Sequence, residues 1–133
     1  MSLTIKILKI VAVISFLILP GLHENGVPHF GFLLFCLLQF ITDLFSNSSS
    51  IFWQGFLVVP ILTTIVIFFI SKNYKILAFC FLGLLISSMF TTGLIYNYKR
   101  IDFLFLFMYL IFIISSIGVI ILVQKTTVKR IID

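Results

Sequence analysis

Five apolar runs, joined by connectors of ten residues or fewer, leave this chain little freedom in what it can become. They cover residues 3–19, 30–45, 52–70, 76–95 and 103–123. A helix crossing a bilayer takes about 20 residues, and each run approaches that length. No connector is long enough to hold a folded unit of its own. Composition closes the argument: 62% of residues are hydrophobic and 10% charged. An ordinary soluble domain is about 45–50% apolar and about 25% charged. Too few polar side chains remain to cover a water-facing surface, whereas lipid accepts apolar ones. The expected fold is therefore an all-α integral membrane protein. It is a compact bundle of five membrane-embedded helices with no soluble domain, a single transmembrane domain over 1–133.

The net charge of +5 does not point to nucleic acid. The basic residues stand in small groups beside the apolar runs: Lys6 and Lys9, Lys72 and Lys75, Lys99 and Arg100, then Lys125, Lys129 and Arg130. That is the distribution of membrane anchors and topology signals. A nucleic-acid surface would gather them on one soluble face. Cys36 and Cys80 both sit inside apolar runs, without a CxxC pattern or a second pair, so neither a disulfide framework nor a thiol-redox motif is expected.

The first run has the basic start and apolar core of a signal peptide, but Pro20-Gly21 follows it in place of a small-residue cleavage pattern. It reads as a retained helix whose lysines snorkel to the interface. The second run, of 16 residues, would reach only about 24 Å. The third contains Pro60, which is expected to kink or locally unwind it. The last three runs are joined by turns that allow only antiparallel neighbours. The turn at 71–75 and the C-terminal tail then share one side, with five basic residues against Lys99 and Arg100 opposite. Basic residues favour the cytoplasm, so the C-terminus is expected to be cytoplasmic in a bacterial-type inner membrane. If all five runs cross, Lys6 and Lys9 fall outside and the charge bias disappears. If one of the first two does not cross, Lys6 and Lys9 fall inside. Charge thus favours four crossings plus one re-entrant or interfacial helix, while hydropathy favours five.

On a helix over 29–43, His29, Cys36, Gln39 and Asp43 fall within about 80° of one another. A polar stripe on an apolar helix is expected to face other helices or a water-filled path. An ionisable residue such as Asp43 at membrane depth is a functional-site hypothesis by default. His23, Glu24 and His29 could suggest a metal, but HExxxxH lacks the spacing that puts two imidazoles on one helical face, and Asn25, Gly26 and Pro28 oppose a helix there. No metal or other cofactor is expected. In the fourth run Cys80, Gly83, Ser87 and Thr91 share one face, a small-xxx-small register that lets helix backbones approach. Ser115, Ser116 and Gly118 form a weaker seam in the fifth run. Asp102 reads as a helix N-cap.

Pro28-His29-Phe30, opening an apolar helix after a short first span, resembles the VanZ-like glycopeptide-resistance proteins. The Arg/Asp/Asn pattern of the later part of that family has no counterpart here, so no activity or site residue is carried over. There is no nucleophile elbow, phosphate loop or catalytic carboxylate pair, and the chain reads as a non-enzyme. Its expected partners are the lipid bilayer and either another membrane protein or further copies of itself. The expected function is helix–helix association, as an accessory subunit of a membrane complex or an immunity-type binder of another membrane protein. The alternative is an oligomeric channel or carrier whose path is lined by His29, Gln39 and Asp43.

Overall fold

Helices form along the apolar runs because a chain this poor in polar side chains must satisfy its backbone internally. The computed structural model describes residues 3–21, 28–46, 53–92, 94–96 and 98–132. These form five α-helices: α1 (Leu3–Leu17), α2 (His29–Phe45), α3 (Val58–Ile70), α4 (Tyr74–Thr91) and α5 (Phe103–Ile132). Two 3₁₀ segments, Trp53–Leu57 and Tyr98–Arg100, precede α3 and α5, and no strand occurs among the described residues. Two helices, α4 and α5, are long and apolar enough to cross a membrane.

Local chemistry sets several boundaries. Asn73 caps α4, its side chain accepting from the Lys75 amide at 3.0 Å. Asp102 caps α5 in the same way, Oδ1 accepting from the Phe105 amide at 2.8 Å. Pro60 does not interrupt a long third helix as the sequence suggested. The α-helix starts at Val58, so Pro60 sits in its first turn, where an amide has no helical partner to lose. The residues before it wind as 3₁₀. The fifth helix exceeds its expected end at residue 123 by nine residues. Residues 124–132 hold no Gly or Pro to stop it.

Four helices, α1, α3, α4 and α5, form the scaffold. Leu8 meets Gly118 while Phe16 meets Phe112, so α1 and α5 run antiparallel. The pairs Phe81–Phe112 and Ser88–Tyr109 set α4 antiparallel to α5. Phe16, Leu77, Leu84, Phe105, Phe112 and Val119 are buried at the centre. One end of the scaffold carries the start of α1, the α3–α4 turn and the end of α5; Lys9 reaches Ser71, and Tyr74 lies near Thr127. This is the basic end. The other carries the end of α1, the start of α3 and the end of α4. Since α1 finishes and α3 starts there, α2 and the 3₁₀ segment between them leave that end and return to it.

Candidate functional site

The hairpin of α2 and the Trp53–Leu57 segment is built around a glycine and a histidine. A Cβ on Gly55 would stand 2.6 Å from the Phe40 Cβ and closer still to the Cys36 carbonyl oxygen, so only glycine lets the two strokes of the hairpin touch. Phe40 and Phe56 pack beside it, ring centres 5.8 Å apart. The hairpin meets the scaffold through the first part of α2. His29 is 1% exposed. Its amide donates to the Leu19 carbonyl at 2.9 Å, and its ring Nδ1 to the Phe16 carbonyl, also at 2.9 Å. The Phe16 carbonyl, left open by the end of α1, and that of Leu19 just beyond it are thereby satisfied. The other ring nitrogen, Nε2, lies 2.5 Å from Thr91 Oγ1 at the end of α4. The Phe16 ring closes on the imidazole edge-on at 4.6 Å. One residue therefore joins α1, α2 and α4.

The hairpin leaves two spaces, both lined by Leu33 and Val58. A cleft of about 430 Å³ opens between α1, α2 and α3, with Ile14, Leu17, Phe30, Leu34 and Leu62 on its walls. A second, of about 320 Å³, lies towards α4 and includes Cys36, Ile61, Phe90, Thr91 and Tyr96. The first is lined by apolar side chains alone, and the second adds the Cys36 thiol and the Thr91 and Tyr96 hydroxyls.

The stripe of His29, Cys36, Gln39 and Asp43 is divided. His29 and Cys36 are buried, whereas Gln39 is exposed and donates from Nε2 to Asp43 Oδ1 at 3.1 Å. His29 and Asp43 are fourteen positions apart, about 21 Å along a helix, so a shared face does not bring them together. The face of Cys80, Gly83, Ser87 and Thr91 turns partly inward. Cys80 is buried, a Cβ on Gly83 would stand 4.0 Å from the Thr64 methyl of α3, and Thr91 meets His29. Ser87 donates its hydroxyl to the Gly83 carbonyl, and Thr91 Oγ1 lies within hydrogen-bond reach of both the Ser87 carbonyl and His29 Nε2. In the fifth helix Ser115 bonds the Ile111 carbonyl, and Ser116 Oγ is buried with no hydrogen-bond partner among the described residues. His23 and Glu24 lie outside the described residues. Among the described residues no group of three His, Cys, Asp or Glu side chains could hold a metal.

Lys9 has a role its position in the sequence did not reveal. Where snorkelling to the interface was expected, the side chain is 1% exposed and its ammonium donates to the Phe69 and Ser71 carbonyls at 3.1 and 2.5 Å. It caps the C-terminus of α3, where the helix dipole favours a cation. The signal available in sequence was only a lysine placed well inside an apolar run. Comparison of the chain with protein-family models, curated proteins and solved structures found no match.

Proposed function

We propose that this chain is a multi-pass membrane protein that acts by helix–helix association, as an accessory subunit or an immunity-type binder of another membrane protein. The distribution of polar groups supports a lipid setting. Lys9, Ser15, His29, Ser88, Thr92 and Ser116 are buried, while large apolar side chains such as Phe79, Phe103 and Ile114 are exposed on α4 and α5. In water this arrangement would leave extensive apolar surface uncovered. In this reading α1, α3, α4 and α5 cross and the α2 hairpin is re-entrant. The basic end, with Lys6, Lys72, Lys75, Lys125, Lys129 and Arg130, faces the cytoplasm of a bacterial-type inner membrane, and the C-terminus with it.

The observation that carries the association reading is the outer face of α2. Leu34, Phe35, Leu38 and Phe45 are each more than half exposed, and Gln39, which donates to Asp43, is exposed at the edge of that face. A hydrogen-bonding pair on an apolar helix is costly against lipid and favourable against a partner helix. A photo-crosslinking residue at Phe35, used in native membranes, should give a discrete adduct with one membrane protein, or with a second copy if the chain self-associates. Adducts with lipid alone would overturn the reading. The same exposed pair is the observation that favours a channel or carrier as the second reading. Proteoliposome flux that is lost in Asp43→Asn and Gln39→Leu would establish it, and flux that survives both would remove it.

A further inference from the structure

The basic end contains a recess that the association reading does not use. It opens between the α3–α4 turn and the last turns of α5, with a volume of about 700 Å³. Lys72, Asn73 and Lys75 stand on one wall, Thr127 on the other, and Ile76 and Ile131 complete it. Among the described residues lining it none is acidic. A third cation stands behind the first wall: the Lys9 ammonium bonds the carbonyl of Ser71, itself part of the recess. Three like charges gathered without an acidic side chain among the described lining residues favour an anion between them.

Depth identifies the anion. Thr127 is twenty-four residues beyond Phe103, the first residue of α5, which places it about 36 Å along the helix. A hydrocarbon core is about 30 Å thick and the headgroup zones bring the bilayer to about 40–45 Å. With the start of α5 at one edge of the core, the recess lies at the level of the opposite headgroups. Tyr74 beside it is a residue type favoured at that depth. The walls are amphipathic in the same sense, with ammonium, amide and hydroxyl groups next to the isoleucines. A free inorganic anion would have no use for Ile76 and Ile131; a phospholipid presents phosphate and acyl chain together.

We propose that the recess between the α3–α4 turn and the C-terminal turns of α5 binds the phosphate headgroup of an anionic membrane phospholipid, with Lys72 and Lys75 as its counter-ions. The hydroxyl of Thr127 and the amide of Asn73 supply hydrogen-bonding groups, and Lys9 adds positive potential from beneath. This inference rests on the membrane reading above. The test reconstitutes the full chain into nanodiscs of equimolar phosphatidylglycerol and phosphatidylcholine, extracts it into mild detergent and weighs the retained lipid by native mass spectrometry. Phosphatidylglycerol should be enriched on the wild-type protein. The enrichment should be lost in the Lys72→Gln/Lys75→Gln double variant and kept in Lys99→Gln/Arg100→Gln, which removes the same charge from the other end. Equal retention of the two lipids, or enrichment that survives the double variant, would overturn the proposal. Displacement of the lipid by millimolar inorganic phosphate would reassign the recess to a soluble anion. Failure to enter a purely phosphatidylcholine nanodisc would remove the membrane reading itself, whereas entry without lipid preference removes only the lipid site.

Discussion

The scaffold of α1, α3, α4 and α5 and the hairpin of α2 are both apolar, but they are held in different ways. The scaffold has a continuous core in which Phe16, Phe81 and Tyr109 each pack against Phe112, ring centres 5.3–6.4 Å apart. The hairpin is held at points: His29 at one end, and Gly55 under Cys36 and Phe40. Two clefts, both lined by Leu33 and Val58, open beside it. A continuous core spreads the loss of one side chain over many neighbours, while a point attachment fails locally. The hairpin should therefore be able to loosen while the scaffold stays folded. The protein carries its own reporters of this difference, since Cys36 is buried in the hairpin and Cys80 in the scaffold.

Four substitutions test that contrast. Phe112→Ala empties the centre of the scaffold and should cost about 3–5 kcal/mol. Its signature is a lowered unfolding midpoint in detergent, with Cys36 and Cys80 becoming reactive to maleimide together. Gly55→Ala forces the backbone of the hairpin apart, a strain of about 1–3 kcal/mol or more. Here Cys36 should become reactive while Cys80 stays protected; simultaneous exposure of both would mean that the hairpin is part of the core. His29→Leu strands the Phe16 carbonyl and removes the tie to α4, at about 1–3 kcal/mol for a buried group left unpaired. Cys36 should again respond before Cys80, and by less than in Gly55→Ala. Smallest is Ser116→Ala, which removes a hydroxyl with no partner among the described residues. Its effect on the unfolding midpoint should be nil or slightly stabilising, because nothing is left unpaired. A clear loss would show that Ser116 bonds something the present contacts do not include.

The scaffold was more legible than the hairpin for a related reason. Long uninterrupted apolar runs and their caps are local signals, so α4, α5 and the Asp102 cap could be read from neighbouring residues. The polar stripe on α2 was read from angle alone. Angle places His29 and Asp43 on one face but says nothing of height, and about 21 Å of helix separates them. The small-residue register on α4 was read as an association face, and could not say that Gly83 faces Thr64 of the same chain. Gly55 carried no visible signal, because its need arises from a backbone brought alongside by the fold. Lys9 was read through its charge as a residue bound for the interface. What holds it inside is the carbonyl end of α3, sixty residues away. The end of α5 was misjudged for a simpler reason: its basic tail looked like a connector, although nothing in it stops a helix.

The α2 hairpin leaves and rejoins one end of a four-helix scaffold, and under the proposed membrane reading this puts the start of α1 and the tail of α5 on one membrane face. Single cysteines introduced in a background with Cys36 and Cys80 replaced by serine, probed with an impermeant maleimide in sealed right-side-out membranes, test it directly. Lys6→Cys, Lys72→Cys and Ile131→Cys should all be protected, and Tyr98→Cys labelled. Labelling of Lys6→Cys together with Tyr98→Cys would put the start of α1 on the opposite face and contradict the account.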